Sequence, residues 1–167
     1  MLLAIPVLAC TYRRFPLTDL LYVLIAIHAV ILMVGGHYTY ARVPLFDWIR
    51  DAFELSRNHY DKAGHFAQGF IPAIIAREIL LRATPLKRGK MLFFLIVSVC
   101  LAISAAYELL EWSAAELTGT AADDFLGSQG DVWDTQKDMA FCLIGSLSAL
   151  LFLRRAHDRA LRKLLGR

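Results

Sequence analysis

The sequence predicts an all-α protein, a polytopic transmembrane helical bundle with about four full spans. Long runs of apolar residues are interrupted by few charges, and 57% of the residues are hydrophobic, against about 45–50% in soluble domains. Short loops rich in Lys and Arg alternate with longer loops that are neutral or acidic. A hydrocarbon core about 30 Å thick requires about 20 residues of helix, and helices satisfy their own backbone hydrogen bonds there.

Four spans are expected in a single integral membrane domain, 1–167. The first has His28 as its only ionisable residue, and the third is free of charge until Glu108. Residues 1–10 are apolar but too short to cross, so we expect a partial helix or an interfacial stub. A signal peptide is less favoured, because no basic residues precede this run. The expected spans are approximately 20–36, 64–81, 91–112 and 138–153.

Loop charges predict the orientation. Residues 11–19, 83–90 and 154–167 are basic, while 38–62 is balanced and 113–137 carries five acids against Lys137. Because basic loops stay on the cytoplasmic side, the two longer loops are expected outside and the C-terminal tail, 154–167, in the cytoplasm.

Two short amphipathic helices are expected at the membrane surfaces. Residues 45–57 place Leu45, Phe46, Ile49 and Phe53 on one face, as in a helix that lies on the outer surface. The segment 154–165 mixes Arg with Leu and is expected on the anionic inner leaflet.

Three pairs of ionisable residues recur at helical spacing and indicate a polar site. Each pair is three or four residues apart, so its members share one helix face. The predicted threading puts all three pairs at the outer ends of three helices. His65, Glu108 and Asp138 are therefore expected within about 5 Å of one another, where charges shift each other's pKa. The candidate site residues are His37, Asp61, His65, Gln68, Glu108, Glu111, Asp131, Asp134 and Asp138.

This pattern leaves a structural and a functional reading open. Polar side chains can hold transmembrane helices together without further function. Intramembrane carboxylates are costly, however, and often mark function. A divalent metal ion is one candidate cofactor, because several carboxylates with a histidine form a common ligand set. Its candidate ligands are His65, Glu108, Glu111, Asp134 and Asp138. A metal-free acid–base site is equally open.

Other residues carry weaker signals. Cys10, Cys100 and Cys142 have no CxxC spacing, which argues against a thiolate metal site or a disulfide framework. Arg77 lies near the inner end of the second span, where we expect its side chain to snorkel towards water.

Four separated segments form a recognisable pattern: GGHYTYARVP (35–44), NHYDKAGHFAQGFIPAIIAREILLR (58–82), YELLEW (107–112) and FLGSQGDVWDTQKDM (125–139). Together and in this order they resemble the YjdF family of predicted bacterial inner-membrane proteins. The resemblance implies a multi-pass protein of the plasma membrane and supplies no reaction.

A shorter pattern consists of Asp61-Lys62 followed by His65-Phe66, a later carboxylate at Glu108, and Asp138 at the start of the last span. This pattern is distantly similar to that of VanZ-like membrane proteins.

Three functions are compatible with the sequence. The leading hypothesis is an outward-facing polar site that binds a metal ion or a lipid or cell-envelope head group, with hydrolytic or transfer chemistry as an open question. The alternatives are a small ion-coupled transporter and a non-catalytic accessory membrane protein. Membrane lipids are the expected partners. Nothing in the sequence indicates nucleic acid, and no protein partner can be named.

Overall fold

The computed structural model describes residues 4–118 and 129–166, and every regular element in these residues is a helix. The chain runs from α1 to α7, and α1 covers most of the expected stub. The bounds are α1 Ala4–Thr11, α2 Asp19–His37, α3 Pro44–Ala52, α4 Tyr60–Ala83, α5 Lys90–Thr118, α6 Asp134–Phe152 and α7 Arg154–Leu164. The two predicted amphipathic helices correspond to α3 and α7.

Two of the described helices are long and apolar enough to cross a membrane, namely α2 and the segment Lys90–Leu117 of α5. A third is added if α6 and α7, which meet at a bend of 62°, are counted as one span. The expectation of four full spans is therefore met in part. The expected span at 64–81 falls within α4, which is long enough but carries charged residues near both ends.

Helix α4 lies at the centre of the fold and packs against α2, α5 and, most extensively, α6. Apolar residues from these four helices form one core, which includes Leu21, Ile74, Ile96 and Cys142. The buried residues of α4 also include Asp61, Lys62, His65, Arg77 and Glu78. The central helix therefore brings its charges into the bundle and does not present them to lipid.

Glycines set the close approach of α4 and α6. A Cβ at Gly69 would overlap the backbone of Cys142, and a Cβ at Gly145 would overlap the backbone of Phe66. The thiol of Cys100 donates to the Gly69 carbonyl at 3.7 Å, which adds α5 to the same contact. Small residues at such positions let helix backbones touch, as is common between membrane helices.

We predict that Gly69→Ala destabilises the protein by about 1–3 kcal/mol, because the added methyl overpacks a backbone contact. The control is Gly36→Ala in α2, where a Cβ meets nothing within 4 Å. There the higher helix propensity of alanine is expected to be neutral or to stabilise by up to about 1 kcal/mol. Thermal unfolding of both variants in detergent tests this, and equal melting temperatures would contradict the packing described.

Candidate functional site

Most of the predicted site residues lie together where α4 and α6 begin, beside the C-terminal part of α5. We call this group the His65 cluster, and two of its members, Arg57 and Lys62, are not among the candidate site residues predicted from the sequence. Its residues are Arg57, Asp61, Lys62, His65, Glu108, Glu111, Asp131, Asp134 and Asp138.

His65 occupies the middle of the cluster. Its Nε2 atom lies 3.5 Å from Asp61 Oδ1, 3.7 Å from Glu108 Oε1 and 3.9 Å from Asp138 Oδ1. All four residues are buried, and they come from α4, α5 and α6. The structure thus brings Glu108 and Asp138 to the same imidazole nitrogen of His65. The ring of Tyr107 packs edge-on against the imidazole, with centroids 5.9 Å apart.

Two basic side chains neutralise one side of the cluster. Lys62 Nζ donates to both carboxylate oxygens of Asp138, at 2.8 and 2.9 Å, and to Asp134 at 2.5 Å. Arg57 Nη1 donates to Asp134 at 2.7 Å and to Asp131 at 3.4 Å. Asp134 and Asp138 at the start of α6 are therefore engaged by cations from the start of α4 and the turn before it.

The other side of the cluster is less well satisfied. Asp61 Oδ2, His65 Nδ1 and Glu108 Oε1 are buried and have no hydrogen-bond partner among the residues that the structure describes. Arg57 and Lys62 lie 3.9 and 3.7 Å from Asp61 Oδ2, which is too far for a hydrogen bond. Thr135 of α6 lies near Glu108, but Oε1 of that carboxylate has no donor among the described residues.

The count of formal charges also shows that the carboxylates of the cluster are not fully compensated. The cluster holds six carboxylates and two fixed cations, and Lys137 at its exposed edge makes a third. Six negative charges against three positive ones leave a net charge of −3 with neutral His65 and −2 with protonated His65. An uncompensated charge of this size in a buried setting is costly unless protons or a bound cation offset it.

Two groups of three side chains could each hold a metal ion, and both contain His65. They are Asp61 with His65 and Asp138, and His65 with Glu108 and Glu111, in each case with ligand atoms within 4.8 Å of one another. Lys62 lies at Asp138 and would repel a cation in the first group. Among the described residues, the ion contacts of Lys62 are to aspartates and not to Glu108 or Glu111. This difference favours the second group as the metal site.

A strained turn after α2 places an aromatic residue beside this second group. Thr39 and Tyr40 have φ angles of 57° and 54°, in the left-handed region that non-glycine residues rarely adopt. The Tyr40 ring lies where a Cβ of Gly35 would be, and its side chain lies near that of Tyr107, the residue before Glu108. The run GGHYTY thus supplies both the strained turn and the glycine that admits the ring.

The segment before α6 is tied to the start of α4 by paired hydrogen bonds. The Asn58 N–H donates to Gln129 Oε1 at 3.1 Å, and Gln129 Nε2 donates to the Asn58 carbonyl at 2.9 Å. Outside the helices, the hydrogen bond from Lys137 holds the pKa of Asp131 below its ordinary value. These contacts place Asp131 and Asp134 against Arg57.

Two of the candidate residues lie apart from the cluster. His37 is exposed at the end of α2 and packs edge-on against Tyr38. Gln68 is half-buried in α4, just under one turn beyond His65. Asp124, in the acidic loop, lies outside the described residues. Helical spacing does not predict the role of Arg57, because this residue lies in the turn before α4 and donates to Asp131 and Asp134, more than 70 residues away.

A second buried network lies near the other end of α4, and we call it the Glu78 cluster. Glu78 Oε1 accepts from the Thr18 N–H at 3.1 Å and from Arg82 Nη1 at 2.6 Å. Glu78 Oε2 accepts from Thr18 Oγ1 at 2.8 Å and lies 2.9 Å from His157 Nε2. Both carboxylate oxygens therefore have two partners.

The expectation that Arg77 snorkels towards water is wrong. Its side chain is 2% exposed because α7 covers it. Arg77 contacts His157 Nδ1 at 2.7 Å and donates to Asp158 at 2.7 Å. Arginine is a donor only, so His157 Nδ1 accepts and its Nε2 carries the proton donated to Glu78. On α7, burial works to raise the pKa of Asp158, but the Arg77 hydrogen bond and charge keep that pKa below its ordinary value.

The helices and the buried polar clusters define a class, that of helical membrane proteins. The chain matches a family described as "Predicted membrane protein (DUF2238)" over residues 1–159. It is also 55% identical over 162 residues to "Inner membrane protein YjdF" of Escherichia coli (strain K12), which covers 97% of this chain and 78% of that protein. The chain therefore belongs to this family of inner-membrane proteins. No solved structure matches it, and the comparisons do not show the distant similarity to VanZ-like proteins.

We predict that Lys62→Met destabilises the protein by about 3–5 kcal/mol, because it removes the lysine that binds both oxygens of the buried Asp138 carboxylate. The control is Lys137→Met, which removes an exposed ion pair with Asp131 and should have a much smaller effect. Melting temperatures in detergent compare the two variants. Equal losses would mean that Lys62 is not the counter-ion that holds α4 and α6 together.

Proposed function

We propose that this inner-membrane protein binds a divalent transition-metal ion at a site facing the outside of the membrane. His65, Glu108 and Glu111 are the proposed ligands. The observation that carries the proposal is the buried surplus of carboxylates around one imidazole, in which oxygens of Asp61 and Glu108 have no hydrogen-bond partner among the described residues.

The proposed site lies in a four-span bundle, formed by α2, α4, α5 and α6 in one membrane domain. Helix α4 has 24 residues, which at 1.5 Å a residue is about 36 Å and long enough to cross. Its charges lie near its two ends and inside the bundle, so α2, α5 and α6 separate them from lipid. This burial explains how α4, despite its many charges, can cross the membrane as one of the four proposed spans.

The proposed orientation follows from the positive-inside rule. The α4–α5 loop and α7 are basic, which places them and the C-terminus in the cytoplasm. The His65 cluster lies at the opposite end of α4 and therefore faces outside.

The chemistry of the ligand set indicates the class of metal. Imidazole with carboxylates suits zinc and other first-row transition metals better than calcium or magnesium, which prefer oxygen ligands alone. Ligands about 2.0–2.2 Å from a tetrahedral zinc ion lie about 3.4 Å from each other. The 3.7 Å between His65 Nε2 and Glu108 Oε1 would need to close only slightly. Three protein ligands leave a fourth position open, as in catalytic zinc sites.

The other functions have less support. Carboxylates outnumber cations in the His65 cluster, which disfavours an anionic lipid or cell-envelope head group as its ligand. A carrier normally keeps its site near mid-membrane, whereas this cluster lies at helix ends. The cluster residues contact one another, and this gives a non-catalytic accessory role no specific support.

We predict that the purified wild-type protein melts at a higher temperature with added zinc or manganese and at a lower one with a chelator, because a ligand that binds the folded state stabilises it. Glu108→Gln should abolish this response and lower the metal content measured by elemental analysis. Its metal-free melting temperature should hold or rise, as happens when strain at a functional site is relieved.

The matched control is Glu116→Gln, an exposed position two turns farther along α5, which should keep the metal response. A different pair of results would contradict the proposal. If wild type ignores both metal and chelator, and Glu108→Gln loses about 3–5 kcal/mol as a broken buried ion pair does, the cluster is only a structural network.

The orientation can be tested with single cysteines in a Cys10→Ser background, since Cys100 and Cys142 are buried. Asp51→Cys is expected to react with a membrane-impermeant thiol reagent in spheroplasts, and Lys163→Cys only after the membrane is permeabilised. Both native side chains are exposed, so access should depend on the side of the membrane. The reverse pattern would place the His65 cluster in the cytoplasm.

A further inference from the structure

A cleft of about 820 Å³ opens between α5, α6 and α7, at the end of the bundle opposite the His65 cluster. Its size is within the range of small-molecule sites, about 300–1,000 Å³. We call it the basic cleft.

One rim of the basic cleft is strongly positive. Its ionisable residues are Arg77, Arg88, Lys90, Arg154, Arg155 and Asp158. Five basic side chains against one carboxylate give the rim a formal charge of +4. Asp158 is already contacted by Arg77 and Arg88, so it does not neutralise Lys90, Arg154 or Arg155.

The opposite part of the cleft is apolar and continues onto the sides of α5 and α6. Leu92 and Phe93 face Leu147 and Leu151 across it. Phe93, Leu147 and Leu151 are 49%, 40% and 73% exposed. In a membrane these surfaces contact acyl chains, so the cleft joins a cationic rim to a lipid-facing wall.

We propose that the basic cleft binds one anionic glycerophospholipid, with its phosphate at Lys90, Arg154 and Arg155 and an acyl chain between α5 and α6. Charge complementarity identifies an anionic group, and the apolar wall identifies a lipid as its source. Basic pockets between transmembrane helices on the cytoplasmic side commonly hold such head groups. The bend between α6 and α7 contributes to the site, because Arg154 and Arg155 at the start of α7 line the cleft together with Lys90 of α5.

This inference rests on the proposed placing of α5 and α6 in the membrane and not on the metal site. Glu108→Gln should therefore leave lipid binding unchanged. A protein that binds lipid but no metal would overturn only the metal site, and the converse result would overturn only the cleft.

The test uses the full-length protein in a neutral detergent, titrated with phosphatidylglycerol, with phosphatidylcholine of the same chains, or with inorganic phosphate. Native mass spectrometry counts bound lipid, and melting temperature reports stabilisation by the ligand. We expect one retained phosphatidylglycerol and a raised melting temperature, with neither effect from phosphatidylcholine or phosphate. If phosphate binds as tightly as phosphatidylglycerol, the ligand is a soluble anion and the lipid proposal is overturned.

Charge variants locate the head group. Arg154→Gln with Arg155→Gln should weaken phosphatidylglycerol binding by about tenfold to thirtyfold, as the loss of two charges near an anionic head group implies. The control, Arg159→Gln with Arg162→Gln, removes the same charge from α7 outside the cleft. Equal weakening by the two pairs would mean diffuse attraction of α7 to the membrane and would overturn the site.

A pair of uncharged variants tests where the acyl chain of the lipid binds. Leu147→Trp places an indole in the cleft and is expected to reduce the retained lipid. Ile144→Trp alters the same helix at a position that is 51% exposed and outside the cleft lining, and it should not. Equal retention in both variants would show that no acyl chain enters the cleft.

Discussion

Buried ion pairs and hydrogen bonds near both ends of α4 hold this polar helix at the centre of an apolar bundle. Lys62 binds the first turns of α6, and about 24 Å farther along, at 1.5 Å a residue, Glu78 joins α2 to α7 through Thr18 and His157. Breaking either contact would leave a buried charge without a partner, which costs more than most side-chain contacts provide. These two attachments connect α4 to α6 at one end and to the start of α2 and to α7 at the other.

Between the two attachments the same helix is held by shape. Gly69 and Gly145 let α4 and α6 meet backbone to backbone, and the thiols of Cys100 and Cys142 donate to the carbonyls of Gly69 and Cys100. In lipid, helices gain little from the hydrophobic effect when they associate, so close packing of small residues takes its place. The ion contacts at the ends set the register, and the glycines make that register close-packed.

Apolar runs such as 20–36 and 91–112 were enough to predict the helices that contain them, because such runs are local features of the sequence. The four-residue spacings of Asp61 with His65 and of Asp134 with Asp138 also predicted which side chains would converge. They could not predict that Lys62 neutralises Asp138, or that Glu78 meets His157, because these partners are 76 and 79 residues apart. The prediction that the Arg77 side chain reaches water was wrong for the same reason, since nothing near this residue in the sequence indicates that α7 covers it.

The Glu78 cluster and the His65 cluster can be compared, because each contains a buried glutamate whose hydrogen bonds can be counted. Glu78 is a buried carboxylate with two donors on each oxygen, which is what a purely structural role requires. Glu108 is a buried carboxylate in the same bundle, yet one oxygen has no donor among the described residues, and Glu111 adds a second carboxylate beside it. The fold can satisfy a buried glutamate fully, as it does at Glu78. In the part of the chain that the structure describes, the excess of negative charge around His65 therefore supports the proposal that a cation binds there, and a general tolerance for buried charge does not account for it.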